Sequence, residues 1–243
     1  MLEAPISFAS VAEVIAGASE RTFLAEGAGK SGARLERLVI GGQPYVLKHL
    51  DLAEDWTMRA SGCLRGAPLV AWERGLLARL PACFNQPIVG VFREDGDGSA
   101  PSGGCALLMR DVSPWLVPVT DEPISLEQHL RFLRHMAALH AAFWACGSEC
   151  EVVPVMHRYL ELSPWLAHAE AAVGSAHLVP RLVGEGWPRL AEVAPAAAAI
   201  VTPLARDPGP LVEALEGTPQ TFVHSNWKLD NLGTDADGRT VVL

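Results

Sequence analysis

In the first part of the chain, apolar residues tend to fall at every second position. Residues 33–40 (ARLERLVI) partly alternate, Gly41 and Gly42 follow, and 43–50 (QPYVLKHL) alternates again. Two period-2 runs around a two-glycine turn predict a β-hairpin. Residues 10–18 read as a short helix and 21–26 as a strand that leads into a glycine-rich loop. A helix opens at Pro68, carries Leu69, Val70, Trp72, Leu76, Leu77 and Leu80, and stops at Pro81. Two further strands, 87–94 and 105–112, flank the loop DGDGSAPSGG. Residues 51–66 fit neither period. An antiparallel sheet with one inserted helix is therefore expected over residues 1–110.

After Pro123 the period lengthens. Ser125 with Gln128 forms a capping box, and Leu130, Leu133, Met136, Ala137 and His140 then recur at helical spacing over 126–146. Helices are expected at 159–172, 187–200 and 209–216. A short strand (220–223), a turn (233–239) and the start of another strand at Thr240 follow. The expected fold class is α+β, with a sheet-rich region over 1–110 and a mainly helical one over 111–243.

Composition narrows the function. The 243 residues are 49% hydrophobic and 19% charged, with a formal net charge of −9. These values exclude a disordered or coiled-coil chain. The acidic balance argues against nucleic acid as the main partner, because phosphate contacts need a basic face. The most apolar stretch, 191–205, is broken by Pro195 and Pro203, so no membrane span is expected. The N-terminus lacks a basic n-region, which argues against a signal peptide. Five cysteines at scattered spacing read as reduced thiols of a cytoplasmic protein.

Only three lysines occur: Lys30, Lys48 and Lys228. Gly29-Lys30-Ser31 looks like the end of a P-loop, but Leu24 stands where that motif needs glycine, and the loop feeds a strand rather than a helix. Gly27, Gly29 and Gly32 fit G-x-G-x-x-G. In a strand-loop-strand setting that spacing matches the loop that kinases fold over nucleotide phosphates. On the loop alone, a plain glycine hairpin stands equally with it. Lys48 sits near the end of the third strand, where kinases hold phosphates with a lysine paired to a helix glutamate, and Glu73 is the candidate partner. The most informative segment is His224-Ser225-Asn226-Trp227-Lys228-Leu229-Asp230-Asn231, whose His and Asn match the kinase spacing H-x-D-x-x-x-x-N.

The segment TFVHSNWKLDNLGTDADGRTVVL, the helix end MAALHAAFW and the GAGKSG-to-YVLKHL hairpin resemble the aminoglycoside phosphotransferase family, relatives of choline kinases. The resemblance implies a two-lobed protein-kinase-like fold, ATP and Mg2+, and phosphoryl transfer to a hydroxyl of a small molecule. It puts Gly27, Gly29, Gly32 and Lys48 on the phosphates and Glu73 on Lys48. Backbone from Met109 to Asp111 would meet the adenine. His224, Asn226 and Lys228 would form the catalytic loop, and Asn231 would hold the metal.

Two departures qualify the resemblance. Asn226 stands at the catalytic Asp position, with Ser225 in place of the usual glycine. The family's second metal-binding Asp follows the motif's Asn by about a dozen residues, at about the point where the chain reaches Leu243. The expectation is thus a phosphotransferase-type chain, truncated at its C-terminus. The alternatives are a nucleotide- or ligand-binding pseudokinase without turnover, and a non-functional fragment. Acceptor and oligomeric state are not legible.

Overall fold

A computed structural model describes residues 8–24, 33–63, 65–93 and 104–243. Helix α1 (Val11–Ala16) is capped by Ser10, whose hydroxyl accepts from the Glu13 N–H. Strands β1 (Ala18–Phe23), β2 (Arg34–Ile40) and β3 (Gln43–Asp51) follow. Gly41 and Gly42 have φ of 58° and 79°, the left-handed values that a tight hairpin turn requires. Next come α2 (Trp56–Ser61), α3 (Ala67–Glu73), β4 (Phe84–Asn85), β5 (Ile88–Arg93) and β6 (Gly104–Arg110). Five strands form one antiparallel sheet in the order β1-β2-β3-β6-β5.

Alternation along β3 and β6 gives this sheet two buried faces. Tyr45, Leu47, Ala106 and Leu108 join Leu38, Ile40 and Phe92 under Val14 of α1. The opposite face carries Leu50, Cys105 and Leu107, covered by Met58 of α2 and Leu69 of α3. Each large aliphatic side chain removed from water here contributes about 1.5–3 kcal/mol. Lys48 projects from this second face.

The remainder is mainly helical: α4 (Leu126–Ala142), α5 (Val155–Leu160), α6 (Pro164–Ala172), α7 (Leu178–Val193), α8 (Pro195–Arg206) and α9 (Gly209–Glu216). A second sheet completes it: β7 (Leu232–Thr234), β8 (Thr240–Val242) and β4, in the order β4-β8-β7. Phe84 pairs with Thr240 and Asn85 with Val241, in parallel. Helix α2 is tied to the helical part. Arg59 donates two hydrogen bonds to the Glu170 carboxylate at 2.8 and 2.7 Å, and Trp56 and Ala60 pack on Leu166. The α+β expectation is met: an antiparallel sheet is followed by a mainly helical part. Among the described residues, no helix is long and apolar enough to cross a membrane.

Several expectations change. The helix from Pro68 breaks at Gly75, whose φ is 67°. The single helix expected over 159–172 is two, because Ser163 caps a new helix with Pro164 in its first position. The expected 187–200 helix straddles a true boundary at Ala194 and Pro195. Residues 220–223 form no strand, since the Gln220 carbonyl and the Thr221 hydroxyl bond to the end of α4 at Ala145 and His140 instead. Finally, Cys146 and Cys150 are joined as a disulfide, with Cα atoms 5.8 Å apart, against the expectation of reduced thiols. For these two cysteines the argument for a reducing compartment falls away.

Candidate functional site

Lys48 lies opposite Leu35 on β2 and Leu107 on β6, on the face shared with Leu50 and Cys105. Removal from water pushes its ammonium below the ordinary lysine range, and the negative field of Asp55 opposes that shift only in part. Among the described residues Lys48 forms no salt bridge. Asp55 is buried at the start of α2, where its carboxylate accepts from the N–H groups of Thr57 and Met58. No spacing or motif marks Asp55 as the acid acting on Lys48. It lies in a stretch without periodicity, and only the tertiary fold brings it under β3.

The expected pairing of Lys48 with Glu73 is not formed. Glu73 ends α3 on the exposed side and is held there by ion pairs to Arg65 and Arg93. Two guanidiniums hold it at the surface, whereas Lys48 lies beneath α3, on the sheet face that Leu69 covers. Gly27, Gly29 and Gly32, with Lys30, lie outside the described residues.

β6 carries Met109 opposite Val46 and leads into the link between the two parts. Two backbone donors of the expected base-binding stretch are already used. Arg110 N–H donates to the Pro87 carbonyl at 3.0 Å, and Asp111 N–H to the Pro44 carbonyl at 3.1 Å. The Asp111 carboxylate is bound to Arg37 and to the Ser113 N–H. The next N–H, that of the buried Val112, donates to no described residue, and sequence reasoning missed it. It is a backbone donor at the link that the described residues leave available to a ligand.

His224, Asn226, Lys228 and Asn231 are brought together in one loop. The Asn226 carbonyl accepts from the Lys228 N–H at 3.0 Å and from Asn231 Nδ2 at 3.0 Å. This fixes the Asn231 amide, with Nδ2 turned to the loop and Oδ1 left as its acceptor. The Asn226 side chain is exposed and makes no hydrogen bond to a described residue. Lys228 Nζ sits 2.7 Å from Asp230 Oδ2, so its charge is shared with a neighbouring carboxylate. Trp227 closes the loop against Phe84 and His224 in edge-on contacts at 6.2 and 6.1 Å between centroids.

Ser225 has φ of 60°, in the left-handed region that costs any residue with a Cβ. Ser225→Gly is therefore expected to stabilise the protein by about 0.5–1 kcal/mol, a rise in Tm of about 2 °C that differential scanning calorimetry resolves. A fall in Tm would mean that the hydroxyl has a role beyond the backbone.

His224 is half-buried, and its buried Nδ1 has no hydrogen-bond partner among the described residues. Burial pushes its pKa below the ordinary 6.5. In the unfolded chain the ring binds its proton more readily. Its contribution to stability is therefore complete above pH 6.5 and lost as pH falls toward the lowered value. The melting temperature should drop between pH 7 and 5, and His224→Gln should flatten that drop. An unchanged slope in the variant would assign the effect to His135, whose pKa burial also lowers.

These donors suit an anion better than a metal ion. Lys48 is an incompletely neutralised cation. A hard cation wants several oxygen ligands, carboxylates among them. Asn231 supplies one neutral oxygen, and the nearest acid, Asp230, is engaged with Lys228. Among the described residues, no group of three or more His, Cys, Asp or Glu is placed so that it could hold a metal ion.

No protein-family model and no curated protein matches the chain. Among solved structures the chain is similar to a thermostable mutant of the aminoglycoside phosphotransferase APH(4)-Ia in its apo form. That similarity has 16% identity and a TM-score of 0.46, and spans 95% of this chain and 68% of that one.

Proposed function

We propose that the chain is a kinase-like, ATP-dependent phosphotransferase unit that acts on a hydroxyl of a small molecule. The observation that carries this reading is Lys48, a lysine without a salt bridge among the described residues, on the sheet face that turns toward α2 and α3. Burying a charge without a close partner is costly, and such groups concentrate at sites that bind an opposite charge. Lys48 takes the nucleotide phosphates, and the Val112 N–H donates to the base. The γ-phosphorus forms a bond to the acceptor oxygen as its bond to the β-phosphate oxygen breaks. The transition state is loose, so positioning and neutralisation matter more than proton removal. Asn226 orients the hydroxyl by accepting its hydrogen bond, but an amide cannot take the proton. That proton leaves to solvent or to a phosphate oxygen. Lys228 neutralises charge when it exchanges Asp230 for the transferring group. Magnesium, when bound, would screen the phosphate charges. Asn231 is the residue here that could touch it, and no step is assigned to a protein-held metal.

Asn226 itself favours a second reading, a nucleotide-binding pseudokinase. Titration calorimetry with ATP and magnesium tests the shared premise, and phosphate release separates the two readings. Binding with turnover supports the first and binding without turnover the second. Absence of binding removes both.

A further inference from the structure

A line of polar side chains crosses from Arg110, at the end of β6, to the β7–β8 hairpin, and none of these side chains has been given a role above. One Arg110 guanidinium nitrogen donates to Asn85 Oδ1 at 2.5 Å and to the Gln86 carbonyl at 2.8 Å. Asn85 Nδ2 donates to Asp235 Oδ2 at 2.8 Å, and that oxygen also accepts from Arg239 Nε at 2.8 Å. Asp235 Oδ1 accepts from the N–H groups of Asp237 and Arg239 at 3.0 and 2.9 Å. Asn85 and Asp235 are both buried. Burial opposes the Asp235 charge, but these donors hold its carboxyl below the ordinary aspartate range.

The Asn85 amide has one workable orientation. Its oxygen faces a guanidinium and its nitrogen a carboxylate, so a flip would set like against like at both ends. The chain Arg110–Asn85–Asp235 is therefore a spacer of fixed length. One end is the last residue of β6, two residues before Val112. The other is the turn of a hairpin whose two strands both end at Asn231, the last residue of the 224–231 loop. Leu232 directly follows Asn231, and the Leu243 N–H donates to the Asn231 carbonyl at 3.0 Å.

We infer that Arg110, Asn85 and Asp235 are positioning residues that set the base-binding link against the catalytic loop. The inference rests on the nucleotide reading above. The test uses the 243-residue protein with Arg110→Met, Asn85→Leu, the double variant and Arg110→Lys, and measures ATP affinity by calorimetry alongside Tm. Each of the first two variants should weaken ATP at least tenfold in folded protein, and the double should be no worse than the weaker single. Arg110→Lys, which can still reach Asn85, should stay within threefold of the parent. Lower Tm with unchanged affinity would overturn the inference and leave the line as packing. If the parent itself binds no ATP, the nucleotide reading has failed, and amide hydrogen exchange decides the coupling. Faster exchange at Leu232–Thr234 in Arg110→Met, by at least tenfold, would uphold it. Unchanged exchange there would end it.

Discussion

At ATP concentrations a hundred times its Kd, the protein should gain about 2.7 kcal/mol of stability, and Lys48→Met should lose most of that gain while the ligand-free variant melts higher than its parent. The two halves share one cause. The ammonium of Lys48 is desolvated and only partly offset by Asp55. Replacing a half-buried, under-compensated charge with an apolar side chain of similar length is expected to stabilise the protein, here by about 1 kcal/mol. The same replacement removes the cation that meets the phosphates. The pH dependence has a definite sign. The folded-state pKa lies below 10.5, so between it and 10.5 the unfolded chain binds more protons, and stability rises with pH. Urea unfolding at pH 8 and pH 10, with and without ATP, measures all three effects. A destabilised variant that still binds ATP would make Lys48 a structural residue.

Asn226→Asp should raise ATP turnover at least tenfold, about 1.4 kcal/mol of barrier, in an assay of phosphate release. A positioned base contributes about 10²–10⁴-fold, and the smaller figure suits a loose transition state. The loop can accept the change because its geometry depends on the Asn226 carbonyl, which takes the Lys228 and Asn231 donors, and not on the side chain. The new carboxylate would also compete with Asp230 for Lys228. Equal, low rates in both proteins would favour binding without chemistry.

What was legible in the sequence was local. The hairpin at Gly41 and Gly42, the Ser125 cap and the spacing from His224 to Asn231 depend on neighbours within a few residues, and the structure contains each of them. The helices of 159–200 differ from the expectation because Pro164, capped by Ser163, and Pro195 start new helices inside segments whose composition is helical throughout. Asp55, Val112 and the Arg110–Asn85–Asp235 line were invisible for another reason. Each acquires its meaning from a residue brought close by the fold, and nothing in the spacing marks it. Glu73 shows the opposite error: an acid at a familiar position was given to Lys48, and the arginines beside it took it.

The parallel pairing of Phe84 with Thr240 also bears on how the chain folds. A strand only two residues long gains its partner from more than 150 positions away. During synthesis at about 5–20 residues per second, the five-stranded sheet can form many seconds before that partner emerges. Until then Asn85 faces no carboxylate, and Phe84 lacks the strand that covers it. Such non-local closure slows folding and leaves apolar surface open. The late arrival of β8 makes the nascent chain a candidate for chaperone capture in that interval.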